Sequence, residues 1–322
     1  MTTLTSSLPS RHLSSRKSLG LLARLRAELG VGSIPLRTLR RRYEKPESRY
    51  AVIDGTQVHY TDEGQGPTLV LLHGVMASLH TWDGWVAILR QHFRIIRIDL
   101  PGFGLTGPLH SGSYTPEYAL KFIELFRQHL GLQRFHLAGN SLGGFLSWYY
   151  AVHHPEHVER LVLLDPIAYS QPLPRLIALV AAPGMSVVSR FVAPRRLVVH
   201  GIHEVYGDSS RMQPGTDRRY FELLMRQGNK AGMVAYFRLL AEMNRKNRFA
   251  PRVRDLKVPT LLLWGARDRW VPPALIHDWQ RDVPGLTVRV YPDGGHIPME
   301  ELPAQSAHDA LSFLQADAAL AA

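Results

Sequence analysis

The residues whose types and settings suit nucleophilic chemistry begin with Ser141, in Gly139-Asn140-Ser141-Leu142-Gly143. The surrounding segment reads as a strand over Phe135 to Ala138, a tight turn, then a helix. A serine held in a strained strand-to-helix turn presents its hydroxyl beyond the sheet, the arrangement called a nucleophile elbow. A side chain at 139 or 143 would collide across that turn, which accounts for glycine at both. The helix that follows points its N-terminal dipole and free N–H groups at the place where an oxyanion forms. A bare Gly-x-Ser-x-Gly string also arises by chance, so its strand–turn–helix setting and its downstream partners carry the weight.

A serine hydroxyl is a weak nucleophile and needs an adjacent base. Of sixteen histidines, His296 is the best placed, in Tyr291-Pro-Asp-Gly-Gly-His296 after a strand pattern. Two glycines let that loop carry the ring back over a sheet. His153 and His154 fall near the end of the helix after the elbow and read as surface groups, and His73 reads as a residue that shapes its own loop. The imidazole in turn needs a carboxylate to hold its tautomer and stabilise its charged form. Two candidates follow strand patterns: Asp268, whose alternative is to cap the next helix, and Asp165. A tetrahedral oxyanion needs two converging N–H donors. Leu142 offers one and Val75, in the loop after Thr68–Leu72, the other, ahead of Met76. Asp99 reads as a structural loop residue, and Trp82 and Trp85 as packing residues, with room for one of them at a pocket.

The elements that must gather these groups show in the hydrophobic pattern. Tyr50–Ile53 and Gln57–Tyr60 flank Asp54-Gly55, a hairpin signal. Thr68–Leu72 is a continuous apolar run, as expected for a strand buried on both faces. Further strand patterns cover Phe93–Asp99, Val158–Asp165, Pro259–Trp264 and Leu286–Tyr291. Helical patterns lie between them, over 79–91, 116–131 and from the elbow to 154, with a last helix over 303–316. A hairpin followed by alternating strand and helix predicts a mostly parallel sheet wound on both faces. Ligands in such sheets bind beyond the carboxyl ends of the strands. His73, Asp99, Ser141, Asp165, Asp268 and His296 all follow strand ends. Residues 167–257 interrupt the alternation and predict helices over 173–183, 186–199, 217–228 and 230–246, a cap above that edge. The chain thus divides into an arm (1–48), a core (49–166 and 258–322) and a helical cap (167–257).

With 322 residues, 45% of them hydrophobic and 20% charged, the composition is globular. No cysteine is present, so disulfides, thiolate metal sites and cysteine nucleophiles are excluded. No apolar run reaches membrane-spanning length and no secretory signal pattern opens the chain, so a cytoplasmic protein is expected. The net charge of +11 is uneven. Residues 1–49 carry a net +8 and residues 166–257 a net +10, while the remainder is net negative at −7. No nucleic-acid-binding module accompanies this basicity. Plain solvation accounts for it, and peripheral contact with an anionic membrane through arm and cap is the alternative. Lys17 to Leu29 fits a short amphipathic helix with Leu22, Leu25 and Leu29 on one side, either lying on a membrane, docked on its own domain or mobile, and an Arg-rich transit peptide is a further alternative.

His73-Gly74, Asp99-Leu-Pro-Gly-Phe-Gly104, the elbow, Gly265-Ala-Arg-Asp268 and Gly294-Gly-His296 together resemble, in order and spacing, the α/β-hydrolase superfamily. The resemblance covers residues 49–316. It implies an α/β fold: a mostly parallel eight-stranded sheet with helices on both faces and a helical cap inserted after the sixth strand. It implies no cofactor and no metal, and it favours Asp268 over Asp165 as the third member beside Ser141 and His296. The expected activity is hydrolysis of small-molecule carboxylic esters through a Ser-His-Asp triad and an acyl-enzyme. Carbon–carbon bond hydrolysis of ring-fission diketones is one alternative, and a non-catalytic binding protein on this scaffold another. Asn140-Ser141 with a helical cap is similar to the carbon–carbon bond hydrolases, but those commonly carry Trp after the histidine, where this chain has Ile297. Substrate-contacting residues are not assigned by the sequence.

Overall fold

The structure, a computed structural model, describes residues 20, 22–247 and 249–316. Eight strands form one sheet: β1 (Ser48–Ile53), β2 (Thr56–Glu63), β3 (Thr68–Leu72), β4 (Arg94–Ile98), β5 (Phe135–Asn140), β6 (Val158–Leu164), β7 (Thr260–Gly265) and β8 (Thr287–Tyr291). Their spatial order is β1-β2-β4-β3-β5-β6-β7-β8. The β1–β2 hairpin is antiparallel and turns at Asp54-Gly55, both at positive φ (46° and 78°), which matches the Asp-Gly signal. β2 joins β4 antiparallel, and every later neighbour is parallel. All residues of β5 and β7 are buried, as strands covered on both faces must be.

The helices are α1 (22–28), α2 (Leu36–Tyr43), α3 (Asp83–Leu89), α4 (Pro116–His129), α5 (Leu142–His153), α6 (Arg175–Ala181), α7 (Pro183–Val188), α8 (Arg195–Val205), α9 (Thr216–Leu224), α10 (Asn229–Lys246), α11 (Ile276–Asp282), α12 (Pro298–Glu301) and α13 (Pro303–Leu314). α3 packs with α13 and α4 with α5, and the sheet lies between the two groups. Trp85 is fully buried at the first of these packings, its indole N–H donating to Ser306 Oγ at 2.8 Å. α6 to α10 all fall between β6 and β7.

Two expected cap helices end differently. The pattern over 173–183 stops at Ala181, and Pro183 opens α7 at its first turn. The pattern over 186–199 breaks, with residues 189–194 leaving the helix before α8 starts at Arg195. Proline disfavours helical backbone in the residue before it and is well suited to a helix start, and Pro183 and Pro194 do both.

The described part of the arm lies along the cap. Ile34 pairs with Arg226 in an isolated parallel bridge, and Leu39 is fully buried with Leu105 and Leu223. Tyr43 donates to Glu222 at 2.8 Å, and Lys230 threads its ammonium onto the carbonyls of Gly30, Gly32 and Phe191 at 2.7–2.8 Å. The expected tail over 1–15 lies outside the described residues, as does all but one residue of the first part of the 17–29 helix.

Candidate active site

Ser141 stands between β5 and α5 with φ 54° and ψ −113°, a strained backbone for any residue with a side chain. The strain is held by close packing. A Cβ on Gly139 would lie 2.2 Å from the Gly143 carbonyl oxygen, and one on Gly143 would lie 2.2 Å from that of Leu72. The two glycines therefore let helix, turn and neighbouring strand touch backbone to backbone. The amide of Leu142 opens α5, and neither it nor the Val75 amide donates a hydrogen bond within the described chain. The loop carrying Val75 is set by His73. Its Nδ1 donates to the Gly74 carbonyl at 2.7 Å and its Nε2 accepts from Leu100 N–H at 2.9 Å, so the ring is neutral, and burial pushes its pKa down. Met76, next in this loop, takes φ 60°.

His296 Nδ1 donates to Asp268 Oδ2 at 2.7 Å. Asp268 Oδ1 accepts the amides of Trp270 (2.7 Å) and Val271 (3.0 Å), so the same carboxylate caps its own turn and holds the imidazole. His296 Nε2 is left buried without a partner. It is the deprotonated nitrogen of this tautomer, and Ser141 lines the same cavity, although no Ser141–His296 hydrogen bond forms. Such contacts often tighten only when substrate arrives. Asp165 lies behind: its Oδ1 accepts from Gly265 N–H at 2.9 Å, and burial and then the Asp268 charge push its carboxyl well up. Asp99 is buried elsewhere, accepting from His59 Nδ1 at 2.7 Å and from the Leu79 and Leu105 amides at 2.8 and 2.7 Å. His153 is exposed at the end of α5.

Three groups with no positioning role assigned from the sequence fix this geometry. Asn140 Nδ2 donates to the carbonyls of Leu164 (3.1 Å) and His296 (2.8 Å), tying the histidine loop to the sheet. Buried Glu301 accepts the amides of Gly207 (2.9 Å), Asp208 (2.8 Å) and Gly295 (2.7 Å), and His296 N–H donates to Val205 at 2.7 Å, so loop and cap are joined. Trp270 lies 5.9 Å from the His296 ring, centroid to centroid. Adjacent acids after His296 were the available signal for Glu301, but acidic pairs are usually solvated. A lone Trp two residues after Asp268 carried none.

Two apolar compartments flank Ser141 and His296, and Val75 and Trp270 line both. The wider, which opens to solvent, lies between Leu173, just ahead of α6, and Ile177 of α6 on one side and the end of α10 (Leu240, Met243) on the other. The other lies beneath α8 (Gly201, Ile202, Val205). Trp82 and Trp85, fully buried, line neither; Trp270 takes the pocket position instead. No Lys or Arg among the described residues lines either compartment.

Residues 67–303 match the family model described as the alpha/beta hydrolase fold. The chain is 29% identical over 266 residues to a pimeloyl-[acyl-carrier protein] methyl ester esterase of Vibrio vulnificus, covering 80% of this chain and 98% of that protein. It is 30% identical over 234 residues to a 2-hydroxy-6-oxo-2,4-heptadienoate hydrolase of Pseudomonas putida, covering 70% and 80%. Among solved structures it superposes on a membrane phospholipase A with a TM-score of 0.69 at 26% identity, covering 94% of this chain and 98% of that one. With the elbow, the eight-stranded sheet and the inserted helices in place, these matches show that the chain is an enzyme, a hydrolase belonging to the alpha/beta hydrolase fold family.

Proposed function

We propose that this chain is a serine hydrolase of carboxylic esters. The observation that carries the reading is the His296–Asp268 bond: it fixes the proton on Nδ1 and leaves Nε2 buried and unpartnered in the cavity that Ser141 shares. Ser141 Oγ attacks the ester carbonyl while His296 Nε2 takes its proton. The amides of Val75 and Leu142 hold the tetrahedral oxyanion. Collapse expels the alcohol, which leaves with the proton from Nε2. Water then attacks the acyl-enzyme, giving its proton to His296, and the acid departs as Ser141 recovers its hydrogen. Two apolar compartments, one on each side of the serine, suit an acyl group and an alcohol group. The esterase and phospholipase similarities support the same bond type.

A fluorescent fluorophosphonate should label wild-type enzyme at Ser141, and the label should vanish in Ser141→Ala. On any ester the enzyme turns over, that substitution should lower kcat on the order of 10⁶-fold. Labelling elsewhere, or turnover retained by the variant, would reject the assignment.

Carbon–carbon bond hydrolysis of a ring-fission dienoate uses the same residues, and the Pseudomonas putida relative is named for such a reaction. A dienoate brings a carboxylate into the pocket. The compartments offer no Lys or Arg from the described residues to receive it, and the cap arginines lie outside. That favours a neutral ester. Product analysis on ring-fission dienoates separates the two, and turnover of dienoates faster than of any ester would reverse the preference.

A further inference from the structure

One short helix of the cap carries its side chains inside out. In α7 and the turn after it, the buried residues are Ser186 and Ser189, while Met185, Val187, Val188 and Phe191 face solvent, Phe191 at 66% exposure. A water-facing helix does the reverse. The described chain has ten exposed large hydrophobic side chains, and eight of them lie in two segments, residues 22–29 and 179–191. The remaining two, Val52 and Val290, stand alone on strands near the sheet's edges.

Those two segments lie side by side. Ala193 N–H donates to the Leu29 carbonyl at 3.2 Å, and Lys230 grips the Gly30, Gly32 and Phe191 carbonyls together. Glu28 pairs with Arg195 at 3.8 Å. Arginines border the apolar surface: exposed Arg24 and Arg26 on α1, and Arg190, Arg238 and Arg245 around an open groove that also takes in Ala181, Leu239 and a single acid, Glu242, which pairs with Lys246. None of these three groove arginines has an ion pair among the described residues. Exposed apolar side chains next to unpaired guanidinium groups complement one kind of surface, an anionic bilayer: the arginines meet headgroup phosphates and the apolar residues enter the acyl boundary. An acidic soluble protein would meet the arginines but leave Val187 and Phe191 against water.

We propose that α1, α6, α7 and the Arg190–Arg238–Arg245 groove form a docking face for anionic phospholipid bilayers. α6 contributes to both sides. Leu179 points outward at 42% exposure, while Ile177 lines the wider compartment at Ser141. Docking would therefore set lipid against the outer face of a helix whose inner face bounds the pocket. This inference does not depend on the ester-cleavage reading, because binding is measured without turnover.

The test is co-sedimentation of the full chain with vesicles of phosphatidylcholine alone or with added phosphatidylglycerol, at low and raised salt. Binding should be at least about tenfold stronger to the anionic vesicles and should weaken with salt. Two paired substitutions, Val187→Asp with Phe191→Asp and Arg190→Glu with Arg238→Glu, should each reduce it by about tenfold or more. Hydrolysis of a soluble short-chain ester should be unchanged by either pair, because none of the four residues lines the compartments. Absence of vesicle binding, equal binding to neutral and anionic vesicles, or full binding by both variants overturns the proposal. Should a variant lose its fold, the lipid and salt dependence of the wild type decides alone.

Discussion

A serine, a histidine and an aspartate come together twice in this molecule, and only in the set away from the elbow is the serine hydrogen-bonded to the histidine. Ser48 Oγ lies 2.7 Å from His59 Nε2, and His59 Nδ1 lies 2.7 Å from Asp99. The second set has the partners but not the setting. Ser48 also accepts the Lys45 amide at 2.9 Å, lies in an ordinary strand and is outside both compartments, whereas Ser141 has a strained backbone, two unspent amides nearby and a cavity. Ser48→Ala should therefore keep wild-type turnover and fluorophosphonate labelling. The same reasoning separates Asp268 from Asp165. Asp268→Asn should lower kcat by about 10⁴-fold, because the amide reverses the tautomer of His296. Asp165→Asn should change turnover at neutral pH by less than about tenfold, because Asn keeps the shape and the acceptor for Gly265 N–H, and burial and the Asp268 charge both disfavour a charge there. Comparable losses in the two variants would mean that Asp165 does more than fill space behind the site.

At the scale of elements, the cap packs into the same hydrophobic core as the sheet, through residues such as Ile177, Ile202, Phe237 and Leu240, and polar ties fasten the arm to it. Lys230 is the clearest: its buried ammonium is shared by three carbonyls from two segments, Gly30 and Gly32 of the arm and Phe191 of the cap. Lys230→Met keeps the length of the side chain and removes the donor, leaving those carbonyls without it. Limited proteolysis should then cut around residues 22–33 at least about tenfold faster, with the elbow and the sheet still resistant. Unchanged cleavage would show that α2 and the Ile34 bridge hold the arm without it. Ties of this kind were not legible in the sequence. Strands were, because the runs Leu69–Leu72 and Leu261–Trp264 have no polar residue to dilute their pattern, and each structural boundary falls within a few residues of the expected one. The placement of Ser141, Asp268 and His296 in turns after strands was legible because glycines mark those turns. The interrupted helix over 186–199 was misread because its apolar residues keep a helical rhythm through Ala193-Pro194, and the backbone constraint outweighs that rhythm. The positioning roles of Glu301 and Asn140 were not legible for another reason: their partners are backbone amides and carbonyls, which every residue possesses.

For the whole molecule, the net +11 charge adds repulsion as acid protonates the carboxylates, and the buried histidines add a specific term. His80 is buried, with Nε2 donating to the Tyr43 carbonyl at 2.8 Å and Nδ1 3.1 Å from Ser78 Oγ. Burial draws its pKa down from 6.5 to about 4, overriding the opposing pull of Asp99. Its unfolded form therefore binds a proton where the folded form does not, so stability is full above about pH 6.5 and falls as pH drops toward 4. The fall attributable to this one group is on the order of 3 kcal/mol. Glu124, held down to about 2 chiefly by Arg127, and Asp282, held down to about 2 chiefly by Arg281, act lower, their contributions fading from about pH 4.5 toward 2. Asp165 has the opposite sign: its raised pKa makes the folded state the better proton binder, so its contribution fades as pH rises above the ordinary carboxylate range. Urea midpoints measured from pH 4 to 7 should thus rise with pH in the wild type. They should rise less steeply in His80→Gln, which keeps a donor and an acceptor but cannot titrate, and more steeply in Asp165→Asn. Parallel curves for all three proteins would show that the slope comes from the net charge and not from these two buried groups.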